Sequence, residues 1–114
     1  MTMLYKIATS AQWQAAQAVG RFDGAPIDLA DGYIHFSDAG TVRETAARHF
    51  AGQADLVLAA VDEHSLGPAL KWEVSRGNAL FPHLYAPLSL ADVAWVKPLP
   101  LGADGAHVFP AELP

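Results

Sequence analysis

Apolar and polar positions alternate over Leu4-Tyr5-Lys6-Ile7-Ala8, the period of an extended chain, which predicts a first strand there. Thr9 or Ser10 offers a hydroxyl to cap a helix over Ala11–Val19, and Gly20 ends it. Phe22–Asp31, with Gly24, Pro26 and its aspartates, reads as a loop. Asp31-Gly32 turns into a short strand, Tyr33–Phe36, whose parity sets Tyr33, His35 and Ser37 on one face against Ile34 and Phe36. Ser37 or Asp38 is expected to cap a second helix running to about Phe50, with Val42, Ala46, His49 and Phe50 on one side.

The continuous apolar run Asp55–Asp62 predicts a central strand buried on both faces. Glu63–Pro68 reads as a turn and Leu70–Val74 as a strand that breaks at Ser75-Arg76-Gly77-Asn78. Leu80–Tyr85 extends again, and Pro82, with no N–H to donate, suggests an edge or a bulge. Val93–Val96 is the last strand expected before an irregular tail from about residue 100. Short strands with helices confined to the first half point to an α+β fold with two helices.

Composition narrows the function. The 114 residues fit one domain spanning 1–114, a size that buries about two-thirds of its unfolded surface without a covalent staple. With no cysteine there is neither a disulfide framework nor a thiolate metal site, which fits a reducing cytoplasm. No apolar run approaches the ~20 residues of a membrane span, and Met1–Ala8 lacks the pattern of a signal peptide. A net charge of −5 with only 7 Lys and Arg argues against general nucleic-acid binding. One phosphate-bearing ligand in a local basic pocket remains compatible with that charge. The oligomeric state is left open.

Candidate chemistry gathers in two segments. His35 ends a short strand beside Ser37 at an expected helix start, where an imidazole and backbone N–H groups suit an anionic or hydroxyl-rich ligand. The alternative is a hydrogen-bonded structural histidine with an ordinary serine cap. In Trp72-Glu73-Val74-Ser75-Arg76-Gly77 a carboxylate can accept sugar hydroxyls, a guanidinium can fork a phosphate and an indole can stack on a ring. Equally, Trp72 can fill the core while Glu73 and Arg76 form a surface ion pair of little energy. Phe81, His83 and Tyr85 share a face if extended, as a base-binding wall or as ordinary sheet packing. His49 reads as a core or rim histidine, and His64 and His107 receive no role. No tight ligand spacing marks a metal site, and no Gly-x-Ser-x-Gly elbow marks a serine nucleophile.

Asp31-Gly32-Tyr33-Ile34-His35-Phe36-Ser37, Glu44-Thr45-Ala46, Trp72-Glu73-x-Ser75-Arg76-Gly77 and Phe81-Pro82-His83-Leu84-Tyr85 closely resemble the family DUF952. The likeness runs from Tyr5 to about Leu99. That family in turn resembles a compact form of the ADP-ribosyltransferase fold, including its RNA 2′-phosphotransferase branch. There a first strand supplies a His, a second opens a helix after an aromatic or His position, and a late strand supplies a third residue, often Glu. The resemblance implies a small split β-sheet and a pocket for NAD, ADP-ribose or a related nucleotide, with NAD an expected substrate. Lys6 stands about where the first His falls, His35 at the second position, and His83 about where Glu falls. The expected roles follow from this: His35, Glu73 and His83 catalytic, with His35 and His83 on the ribose or leaving group and Glu73 on ribose hydroxyls. Arg76 and Lys6 would hold phosphate, Trp72 or Tyr85 would stack a ring, and Tyr33 and Ser37 would complete the ligand face. The alternative is a non-catalytic ligand-binding or protein-interaction module on the same scaffold.

Overall fold

In a computed structural model, which describes residues 2–114 except the side chain of Arg76, strand β1 covers Met3–Thr9. It pairs antiparallel with β4, Leu56–Asp62, which pairs in turn with β8, Val93–Leu99. The apolar run therefore forms the middle strand, as expected, and feeds a core on each side. Leu4, Ala8, Ala59 and Val61 pack with Trp13, Ala16 and Phe22 on one face. Tyr5, Ile7, Leu58 and Ala60 pack with Val42 and Ala46 on the other.

Helix α1, Ser10–Val19, starts from a reciprocal cap: Thr9 Oγ1 accepts from the Gln12 amide and the Gln12 side chain accepts from the Thr9 amide, both at 3.0 Å. Gly20 ends it in the left-handed region at φ 81°, a conformation costly for a side chain with a Cβ. Two short strands, β2 (Arg21–Phe22) and β7 (Leu88–Ser89), then pair with each other.

The segment read as a loop contains a further helix, α2, Pro26–Asp31, so among the described residues the fold has three α-helices rather than two. Pro26 sits in its first turn, where a missing N–H costs nothing, and Gly32 closes it at φ 87°. Strand β3 is only Ile34–His35. Helix α3, Val42–His49, begins later than expected. Asp38 does not cap it: its carboxylate accepts from Thr41 Oγ1 at 2.9 Å and its carbonyl from the Thr41 and Val42 amides, so residues 38–41 form a turn.

A second antiparallel sheet has the order β3–β6–β5, with β5 at Leu70–Val74 and β6 at Leu80–Leu84. Pro82 thus lies in a central strand, not an edge. Phe36 would stand opposite it, since Ile34 faces Leu84 and His35 faces His83. The Phe36 amide donates to the Pro82 carbonyl at 3.0 Å, and the return bond is the one proline cannot make. The β3 ladder stops at that point. Just beyond it, Tyr5 and Ser37 exchange backbone hydrogen bonds of 2.7 and 2.9 Å, a bridge between this sheet and the first.

The tail lacks regular structure but is held down. Leu113 is buried in the second core, and Arg43 donates to the Pro114 carbonyl while lying over the Phe109 ring. No helix among the described residues is long and apolar enough to cross a membrane.

Candidate functional site

The site is organised by a residue the sequence reading passed over. Asp28, third in α2, accepts from the Ala25 amide at 2.8 Å, half of a capping box. The same carboxylate takes the Lys6 ammonium at 2.9 and 3.1 Å, the His35 amide at 3.1 Å and His35 Nδ1 at 2.6 Å. It is 1% exposed. Burial alone would raise its carboxyl, but the His35 hydrogen bond, the Lys6 charge and bond and the Ala25 amide outweigh that and hold it at about 2. Gly24 makes room: with φ +126°, a Cβ there would meet Asp28 Cβ at 2.9 Å. The signal for Asp28 was present as Pro26-x-Asp28, a helix-start pattern inside an apparent loop.

Lys6 is correspondingly not a free phosphate ligand. It is 5% exposed, both oxygens of Asp28 engage it, and burial draws its ammonium below the ordinary value against the pull of Asp28.

An ionised carboxylate only accepts, so His35 Nδ1 carries the proton shared with Asp28. Its other nitrogen, Nε2, lies 2.9 Å from Asp31 Oδ2. Directly opposite in the ladder stands His83, with ring centroids 5.6 Å apart. His83 is buried, and its Nδ1 is 2.8 Å from Glu73 Oε1. Tyr85 donates its hydroxyl to the same oxygen at 2.6 Å. The Tyr85 bond first and the His83 bond second hold the Glu73 carboxyl below its ordinary value, and the same contact pushes the Tyr85 phenol up to about 12. Tyr33 stacks on the His83 ring at 4.1 Å and 26° and touches His35 and Tyr85. Burial, with the Asp31 and Glu73 charges, raises the Tyr33 phenol.

Beside these groups opens a cleft of about 700 Å³ between β1, α2, the β3 end, α3 and the β5–β6 hairpin. His35, His83, Lys6 and Ser37 line it. Ser37 does not cap α3; its hydroxyl hydrogen-bonds Thr45 Oγ1 at 3.0 Å. His49 lines the cleft as well and is exposed rather than part of the core. Tyr33, Glu73 and Tyr85 share the His83 face and surround its ring. Trp72 does not join them. It pairs with Pro82 on the opposite face of the hairpin, 37% exposed, and donates its indole N–H to Glu63 at 2.7 Å. The Arg76 side chain lies outside the described residues, so the phosphate role expected for it has no geometry to meet.

The class defined by this fold and site is an α+β protein whose two three-stranded antiparallel sheets meet at a histidine-lined cleft. The chain belongs to the family described as Protein of unknown function (DUF952), whose model matches residues 7–96, a span holding every site residue but Lys6. It is similar to protein CC0527 from Caulobacter crescentus: 53% identical to the crystal structure, with a TM-score of 0.90 over 94% of each chain. The solution NMR structure of that protein gives 55% identity and a TM-score of 0.84 over 93% of this chain and 91% of that one. No curated protein matches the chain.

Proposed function

We propose that the cleft takes NAD, ADP-ribose or a related nucleotide, on a reduced ADP-ribosyltransferase-type scaffold in a cytoplasmic protein, and that His35 and His83 handle protons on the bound ligand. The supporting observation is the facing pair of imidazoles on one cleft wall, each with Nδ1 on a carboxylate. A carboxylate on one ring nitrogen fixes the tautomer and turns the other toward its task. The cleft volume of about 700 Å³ suits a nucleotide-sized molecule. In ADP-ribosyl transfer the nicotinamide C–N bond breaks, the acceptor oxygen or nitrogen bonds to C1′, and a histidine takes the acceptor's proton. A thermal-shift screen with NAD, ADP-ribose and AMP, followed by an assay for released nicotinamide, tests this; a specific ligand raises the melting temperature by mass action. No stabilisation by any nucleotide would remove the reading.

A second reading, binding without turnover, draws support from Glu73. Its Oε1 already accepts from Tyr85 and meets His83, so the carboxylate expected on ribose hydroxyls serves to orient His83 instead. Tight nucleotide binding with no nicotinamide release is the outcome that favours it.

A further inference from the structure

We propose that the Asp31 carboxylate holds a place on His35 Nε2 that an anionic ligand group, a phosphate or diphosphate oxygen, takes on binding. The inference rests on the nucleotide reading and narrows it to where the phosphate sits and what competes for that seat.

His35 has two carboxylates in unlike settings. Asp28 is sealed at 1% exposure and bonded on all sides, whereas Asp31 is 41% exposed and lines the cleft. With Nδ1 donating to Asp28, the ring is locked in orientation and Nε2 faces the cleft as the exchangeable side. Each ring nitrogen lies within hydrogen-bond distance of a carboxylate oxygen, and the place on Nε2 is one that an anionic oxygen of a ligand can fill. Asp31 is also poorly placed for its own helix: it is the last residue of α2, where backbone carbonyls disfavour a negative charge. Asp31 is nevertheless open to water, which can solvate its carboxylate once the contact opens, so the contact is one a stronger acceptor can displace.

The other groups packed around the imidazole leave this seat to an anion. Tyr33 and His83 meet the ring through their own rings, and Lys6 shares the Asp28 carboxylate with it. Ser37, whose hydroxyl bonds Thr45, and Ser75 line the same cleft.

Inorganic pyrophosphate is the probe, titrated into the full chain by calorimetry with the histidine side-chain NMR signals followed in parallel. Removing the competing charge in Asp31→Asn, at an exposed position, should tighten pyrophosphate binding about tenfold, because the closed contact lowers the fraction of protein ready to bind. The gain should vanish in the Asp31→Asn/His35→Gln double variant. Unchanged or weaker binding by Asp31→Asn, no binding by either protein, or a gain that survives in the double variant would each overturn the proposal. Pyrophosphate carries no nucleoside, so the two hypotheses fail separately. A tightened Asp31→Asn beside a blank nucleotide screen removes only the nucleotide reading; nucleotide binding indifferent to Asp31 removes only this one.

Discussion

His35 and His83 face each other across one rung of the β3–β6 ladder, and each meets through Nδ1 a carboxylate that its own strand does not provide. Asp28 comes from α2 and Glu73 from the neighbouring β5. The arrangement depends on four elements, β3, β6, α2 and β5, holding their places, and each can be loosened separately.

Loss of Asp28 should be the most damaging single change. Asp28→Ala leaves the buried Lys6 ammonium unpaired and two amides short of an acceptor, which should cost about 3–5 kcal/mol in urea unfolding at pH 7. Replacing both partners, Lys6→Met with Asp28→Leu, should recover part of that loss, because the lone buried charge is gone.

Acid sensitivity follows from the same carboxylate. Its folded value of about 2 lies below the unfolded one, so its contribution is present at neutral pH and is lost as pH falls through the folded value. The depression corresponds to about 2 kcal/mol at neutral pH, lost mainly between about pH 4 and 2. Stability measured against pH should show this acid limb, and Asp28→Asn should flatten it.

At high pH the Tyr85 phenol should titrate late. Its folded value is raised to about 12 by the Glu73 contact, so the contribution is full below the unfolded value and is lost as pH rises through the folded one. Absorbance of phenolate should show a step delayed past the ordinary tyrosine range. Tyr33 and Tyr5 are raised as well, so Tyr85→Phe should remove one phenol's share of that step, and Glu73→Gln should bring the same share earlier.

Much of the scaffold was legible in the sequence. β1, β4 and β5 follow from period and apolar runs, and α1 from its cap and closing glycine. Parity alone placed Tyr33 with His35 and His83 with Tyr85. The alternation of β5 also sends Trp72 to the face opposite Glu73, so the stacking role expected of it contradicted its own strand. Other features were hidden for physical reasons. α2 has six residues, too few for a helical period to show, and Asp28 acquires its meaning only when β1 brings Lys6 across 22 positions of sequence. The α3 start was misplaced because Asp38 spends its side chain on Thr41 before the helix begins. With α3 starting at Val42, the expected helix N-terminus beside His35 is absent, and Asp28 takes over the task of orienting the ring.

That change of partner makes His35 the most informative position for separating function from architecture. His35→Ala removes one hydrogen bond from Asp28, yet the carboxylate keeps Lys6, the Ala25 amide and the backbone amide of residue 35 itself. No buried charge is stranded, so the stability cost should stay near that of one charged hydrogen bond, about 1.5–3 kcal/mol, and below that of Asp28→Ala. The imidazole that faces the cleft is gone, however, and with it the donor offered to a ligand. Thermal melts of His35→Ala with and without ADP-ribose should show a modestly lowered midpoint and no ligand-dependent rise, while Trp72→Phe on the opposite face keeps the full rise. A His35→Ala protein that melts far below the parent yet retains its ligand shift would make the residue a brace for Asp28 and move the binding site elsewhere.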